Sequence, residues 1–229
     1  MAYANSVILH GGQRYHLEPA VSDWYGAQFT ALGDSIVYAG ARMLDTMRDR
    51  LGFSTYRNQG VSGRPMSDGS ANGVGTVTTA LGLSFTSDAL VYIAAGTNDF
   101  KLDKPIGSIG AVADTSFDRT TFYGAYRTTI QHIITSNPQV NLVLATPLQR
   151  DNASYDTEST NAAGHKLKDY RAAVIALGEM YAIPVVDMYA RSGIHKRTLD
   201  LYTKDGLHPN DAGYDRMSRV AVGQIRATY

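Results

Sequence analysis

Four short segments carry residues whose types suit acyl transfer. Ser35 follows Gly33-Asp34 at the point where an apolar run gives way to a helical pattern. His208 has an acid, Asp205, three residues before it in Asp205-Gly206-Leu207-His208-Pro209-Asn210. Asn98 lies in Gly96-Thr97-Asn98-Asp99, and Gly60 and Gly63 punctuate Asn58-Gln59-Gly60-Val61-Ser62-Gly63. A hydroxyl, an imidazole, an orienting carboxylate and N–H donors near glycine turns are the parts a nucleophilic attack on a carbonyl needs. Each segment also has an ordinary reading. Ser35 suits a helix N-cap, Asn98-Asp99 a turn or cap, and Asp205-Gly206 a turn pair. Ser62 is a second serine, but its setting GVSGR does not complete the G-x-S-x-G elbow of α/β-hydrolases. Specificity lies in the combination and its chain order.

These segments need a scaffold that brings them to one rim. Five apolar runs read as strands: 29–32, 53–56, 89–95, 141–146 and 183–187. The third and fourth, ALVYIAA and NLVLAT, are apolar on consecutive residues, which fits strands covered on both faces of a parallel sheet. Between them run helical stripes. Gly40, Leu44, Met47 and Leu51 form one, and Phe122, Tyr126, Ile130 and Ile133 a second, which Asn137-Pro138 stops. Leu167, Tyr170, Val174 and Leu177 form a third; Tyr214, Met217, Ala221 and Ile225 form a fourth after a candidate cap at Asp211. Alternating strands and helices predict an α/β fold. In such a sheet ligands bind beyond the carboxyl ends of the strands, where all four chemical segments fall. Residues 99–117 and 147–160 read as long loops, a type more often functional than idle.

The four segments, ALGDSI, NQGVSG, AAGTND and DGLHPN, resemble in type and order the blocks of the SGNH hydrolases, also called the GDSL esterase/lipase family. The resemblance spans roughly residues 28–225; Ile36 stands where the family often has Leu. It implies a flavodoxin-like three-layer α/β/α fold on a parallel five-stranded sheet. It also implies Ser35 as nucleophile, His208 as general base and Asp205 as the acid that holds the imidazole. The implied oxyanion hole is the backbone N–H of Ser35 and of Gly63 with the Asn98 side-chain amide. Gly63 is preferred to Gly60 because the family's glycine ends an N-x-x-x-S-G loop. Asp34 is expected to fix the turn and Asp99 to orient neighbouring backbone. Substrates within the family range over lipids, thioesters, acylated carbohydrate and acyl acceptors.

The expectation is a serine esterase for short-chain, O-acetyl esters on a small molecule or polysaccharide. A lipase, thioesterase or acyltransferase of the same family is the alternative, and a catalytically silent carbohydrate-binding module is the rival of another class. No long amphipathic lid helix is visible, and tyrosine-containing polar loops suit sugar faces. Arg64, Phe100, Lys101 and Tyr155 are further candidates to line the site.

Composition bounds the rest. The 229 residues suit one domain, read here as 27–229 with an N-terminal extension or arm over 1–26 that carries Trp24. Lys+Arg and Asp+Glu balance at 21 each, so no field favours nucleic acid. No apolar run approaches the ~18 residues of a membrane span. MAYANSVILHGG lacks the pattern of a secretion signal, and localisation stays open. With no cysteine there is neither disulfide nor thiolate ligand. His10, His16, His132, His165 and His195 show no metal-ligand spacing, and Gly73-Val74-Gly75-Thr76 lacks the lysine of a phosphate loop. No metal and no cofactor are expected; nothing in the sequence speaks to oligomeric state.

Overall fold

The computed structural model describes residues 6–10, 13–17, 24–69, 73–152 and 155–229. An antiparallel hairpin, β1 (Ser6–His10) and β2 (Gln13–Leu17), comes first. The main sheet holds β3 (Gln28–Gly33), β4 (Thr55–Gly60), β5 (Asp88–Ala94), β6 (Asn141–Ala145) and β9 (Val185–Val186). Its order is β4-β3-β5-β6-β9, with every pair parallel. A two-residue hairpin, β7 (Asp151–Asn152) and β8 (Tyr155–Asp156), stands apart from it. The helices are α1 (Ser35–Tyr38), α2 (Ala41–Leu51), α3 (Thr76–Leu81), α4 (Thr97–Lys101) and α5 (Phe122–Ser136). They continue as α6 (Leu167–Tyr181), α7 (Met188–Arg191), α8 (Leu199–Tyr202) and α9 (Asp211–Thr228). Among the described residues no helix is long and apolar enough to cross a membrane.

The consecutive apolar residues of the strands divide between two cores. Leu90 and Tyr92 of β5 pack with α2 and α9 on one face; Val91 and Ile93 pack with α3, α5 and α6 on the other. Successive strand side chains point to opposite faces, so a strand covered on both must be apolar throughout. The result is the three-layer α/β/α arrangement, with a five-stranded parallel sheet between two helical layers.

Several boundaries differ from the sequence expectation; the last strand, for one, is Val185–Val186 rather than 183–187. The second strand is Thr55–Gly60 rather than 53–56: it is an edge strand with half-exposed polar side chains, so its pairing partner rather than its hydropathy defines it. Phe53, which suggested the earlier start, instead stacks on Trp24 and meets Phe29 at a tilt. The cap of α1 is Asp34, whose side chain accepts the Ile36 N–H, and Ser35 is the first helical residue. The cap of α9 is likewise Asn210, one residue before the expected Asp211. Of the first long loop, Asp99–Lys101 belong to α4. Buried Arg127 holds much of the remainder, donating to the carbonyls of Ile109 (2.5 Å) and Ala111 and lying over the Phe117 ring. The second long loop contains the β7–β8 hairpin.

Strand order creates the site's location. From β3 the chain moves outward to β4 and then returns to β5 on the other side of β3. This reversal is the topological switch point at which open α/β sheets bind ligands, and Ser35 is the second residue beyond β3.

Candidate active site

Asp34 caps a helix of only four residues, so α1 relies on its neighbours. Tyr214 of α9 donates its hydroxyl to the Ile36 carbonyl at 2.9 Å, and the Asn58 amide donates to the carbonyls of Val37 and Tyr38 at 3.0 and 3.1 Å. Gly60 is required by this packing. A Cβ there would lie 2.3 Å from the Tyr38 nitrogen. Gly63 is needed for another reason: its φ is +76°, with open space where a side chain would project. A glycine in the left-handed region beside free space leaves its backbone accessible to a ligand. Of the two glycines, Gly60 is taken up by packing.

The Ser35 Oγ lies 3.0 Å from His208 Nε2, and His208 Nδ1 lies 2.7 Å from Asp205 Oδ2. The other oxygen, Oδ1, accepts the backbone N–H of His208 at 2.8 Å and of Leu207 at 3.1 Å. The Asp-x-x-His spacing thus folds into one compact turn in which a single carboxylate fixes both the backbone and the imidazole. Partial burial works to raise the Asp205 carboxyl, but the His208 N–H and ring together with the Leu207 N–H hold it below the usual carboxylate range. With Asp205 ionised, Nδ1 carries the proton and Nε2 is left to accept the one on Ser35.

Asn98 and Asp99 tie α4 to the loop that carries Gly63. The Asn98 amide donates to the Arg64 carbonyl at 3.0 Å, using one of its two N–H groups. The buried Asp99 carboxylate accepts the N–H of Met66 (2.6 Å) and of Ser67 (3.0 Å) and the Ser67 hydroxyl (2.7 Å). Burial pushes Asp99 up against those hydrogen bonds. Asp99 therefore orients backbone, as expected.

Some expected site residues lie elsewhere. The Arg64 guanidinium is hydrogen-bonded to Thr79 of α3, and only its carbonyl serves the site. Phe100 is fully buried, edge-on to Tyr155 at 5.5 Å and to Tyr170 at 6.2 Å. It belongs to the core, and Lys101 is exposed. Sequence reasoning missed Arg150, which is 1% exposed and donates through Nη1 to the Thr97 hydroxyl at 2.9 Å. It also missed the clamp beside it: Asp151 N–H to the Gly206 carbonyl (2.9 Å) and the Asn152 amide to the Asp205 carbonyl (2.7 Å). No local pattern marks Arg150, because its partner Thr97 is 53 residues away.

Asp34 is the site's electrostatic oddity. Burial pushes its carboxyl from 3.8 up to about 6, opposed by the Ile36 N–H and by the charges of His208 and Arg150 and reinforced by Asp99. The folded state therefore holds this proton more tightly than the unfolded chain. Stability from this group falls as pH rises from about 4 to about 6 and stays lower above, by about 3 kcal/mol. Asp34→Asn keeps an acceptor for the Ile36 N–H and never ionises. Urea unfolding is expected to show the variant gaining up to about 3 kcal/mol on the wild type between pH 4 and pH 7. A difference independent of pH would mean that Asp34 is not buried as an ionisable group.

Two spaces adjoin these residues. A cleft of ≈ 470 Å³ is lined by Asp205 and Gly206 together with Asp151, Lys196, Asp200 and Lys204, and not by Ser35 or His208. An apolar cavity of ≈ 20 Å³ touches Asp34, Ile36, Tyr92 and Met188. Among the described residues no group of three or more His, Cys, Asp or Glu is arranged to hold a metal ion.

Comparisons with known proteins bear on the fold and the family. The chain is 31% identical to the uncharacterized esterase YxiM of Bacillus subtilis in an alignment over 93 residues that covers 38% of this chain and 24% of that protein. It thus spans about a quarter of that relative's length. A solved structure from Lactobacillus plantarum superposes with a TM-score of 0.77 at 22% identity, covering 90% of this chain and 99% of that one. A GDSL-like lipase from Bacteroides thetaiotaomicron gives 0.62 at 21% identity, with 88% and 89% covered. Both share the fold. The model of the GDSL-like lipase/acylhydrolase family matches residues 31–216, from the strand that leads to Ser35 to a point beyond His208, and to that family the chain belongs.

Proposed function

We propose that the protein is a serine esterase that removes short acyl groups, acetyl foremost, from carbohydrate hydroxyls. Ser35 is the nucleophile, His208 the general base and then acid, and Asp205 the residue that orients the imidazole. The carrying observation is the unbroken relay from Ser35 Oγ to His208 Nε2 (3.0 Å) and from Nδ1 to Asp205 (2.7 Å). His208 takes the hydroxyl proton as Ser35 attacks the ester carbonyl. The backbone N–H groups of Ser35 and Gly63 and the Asn98 amide receive the oxyanion. The alcohol leaves with the proton from His208; water, deprotonated by the same imidazole, releases the acid. The catalytic unit is residues 27–229, with 1–26 an extension.

Two features support the substrate class. The apolar cavity bordering Asp34 and Ile36 has room for about one water, not an alkyl chain. The cleft beside Asp205 mixes lysine and aspartate side chains, which suit vicinal hydroxyls rather than a lipid tail. The test is an ester panel from acetyl to long acyl chains, run beside acetylated polysaccharides. Activity that falls steeply beyond the shortest chains, with acetate released from polysaccharide, is the expected result; a preference for long acyl chains would sink the substrate assignment.

Asn98 has a separate expectation. Asn98→Ala removes a donor that counts mainly in the transition state, so kcat should fall about 10²–10³-fold with little change in KM. Steady-state kinetics on an activated acetate ester measures this. A rise in KM at constant kcat would assign Asn98 to ground-state binding instead.

A further inference from the structure

Arg150 sits where three segments of the site meet. Its Nη1 donates to the Thr97 carbonyl at 3.2 Å and to the Thr97 hydroxyl at 2.9 Å, at the first residue of α4. Its own backbone N–H and carbonyl are both paired with the Thr157 hydroxyl, at 2.8 and 2.9 Å. The next two residues grip the turn that carries Asp205. Its Nε and Nη2 are buried and make no hydrogen bond within the described residues. The titratable groups that act on the guanidinium are the carboxylates of Asp34, from the β3–α1 turn, and Asp205, from the turn before α9, with the Tyr155 phenol of β8 beside them. Asp34 in turn feels Asp99 of α4 and His208.

This arrangement is expensive as mere packing. Buried ionised groups are often replaced by apolar residues of similar volume without loss of stability, and an asparagine would cap α1 as well as Asp34 does. Unsatisfied buried polar atoms call for an explanation of this kind. We propose that Arg150 is a positioning residue of the acyl-transfer site: it fixes Thr97, and through the first turn of α4 the Asn98 amide, while its charge balances the Asp34 carboxylate that caps the Ser35 helix. The inference rests on the esterase reading above. Arg150 works against the burial that pushes the Asp34 carboxyl up, so removing this positive charge lets Asp34 take its proton at a higher pH. The working form keeps the Asp34 carboxylate ionised at the start of the Ser35 helix, so the acid limb of kcat/KM moves with it.

The test uses the full chain and an activated acetate ester. Arg150→Gln should lower kcat about 10²-fold, the scale of a small misplacement of a catalytic group, with KM nearly unchanged. It should also move the acid limb to higher pH. Arg150→Lys keeps the charge but not the rigid guanidinium that aims Nη1 at both Thr97 oxygens, so it should restore the limb while leaving kcat about 10-fold low. Thr97→Val should lower kcat without moving the limb. Wild-type kcat and limb in a folded Arg150→Gln, or equal losses in Lys and Gln with the limb unmoved, would overturn the proposal. Should Arg150→Gln fail to fold, the contrast between Arg150→Lys and Thr97→Val decides: a moved limb in the lysine variant, or wild-type kcat in Thr97→Val, counts against it. Failure of the esterase reading itself would look different, as a wild-type chain without Ser35-dependent hydrolysis.

Discussion

Ser35→Ala is expected to lower kcat/KM on an activated acetate ester by about 10⁵–10⁶-fold, the scale seen when a serine nucleophile that acts as a unit with its base is removed. The residual rate over water would come from binding and from the oxyanion donors, which the substitution leaves in place. The fold has little reason to respond. The Ser35 hydroxyl is hydrogen-bonded to His208, whereas α1 is capped by Asp34 and its carbonyls are held by Tyr214 and Asn58. The backbone N–H of residue 35 survives in alanine. Thermal unfolding should therefore shift by no more than the equivalent of about 1 kcal/mol. A fluorophosphonate probe offers an independent reading by intact mass: the wild type should gain one adduct and Ser35→Ala none. Hydrolysis persisting in the variant, or an adduct on another residue, would remove Ser35 from the mechanism.

The parts of this site legible in the sequence were those that build their own geometry over a few residues. In DGLHPN, the carboxylate of Asp205 closes on the N–H groups of residues two and three positions later and on the ring of the latter, so spacing alone encodes the pair. The consecutive apolar residues of β5 announced a strand covered on both faces because nothing else there could be polar. The helix starts were read one residue off at both Ser35 and Asp211. In each case the adjacent residue, Asp34 or Asn210, has the same capping chemistry, and only backbone conformation separates them. Arg64 was misjudged because adjacency to Gly63 cannot say where a long side chain goes; it reaches α3. Arg150 was invisible for a deeper reason. Its partner Thr97 is 53 residues away, and the carboxylates that act on it, Asp34 and Asp205, arrive from two separate turns. A long-range electrostatic role leaves no local pattern.

The same carboxylate geometry makes Asp205→Asn the second large effect, and a sharper one than deletion to alanine. Oδ1 of Asp205 accepts two backbone N–H groups, from Leu207 and His208, so an asparagine is obliged to place its carbonyl oxygen there. Turning the amide over would set its NH₂ against two donors. The introduced amide nitrogen consequently faces His208 Nδ1, where the carboxylate Oδ2 now sits 2.7 Å away. An N–H donor at that point turns Nδ1 into an acceptor and drives the ring proton to Nε2. Nε2 then points a hydrogen at Ser35 instead of a lone pair, and the base is in the wrong tautomer with its geometry intact. The expected loss is about 10⁴-fold in kcat, with the unfolding midpoint close to that of the wild type because both backbone hydrogen bonds remain. Asp205→Ala should match that kinetic loss but also destabilise the chain by about 1–3 kcal/mol, having left the two N–H groups without their acceptor. Kinetics on the activated ester together with urea unfolding of both variants separates the two effects. If Asp205→Asn kept more than about a tenth of the wild-type kcat, the tautomer would not be set by Asp205, and the roles proposed for Asp205 and His208 would have to be reassigned.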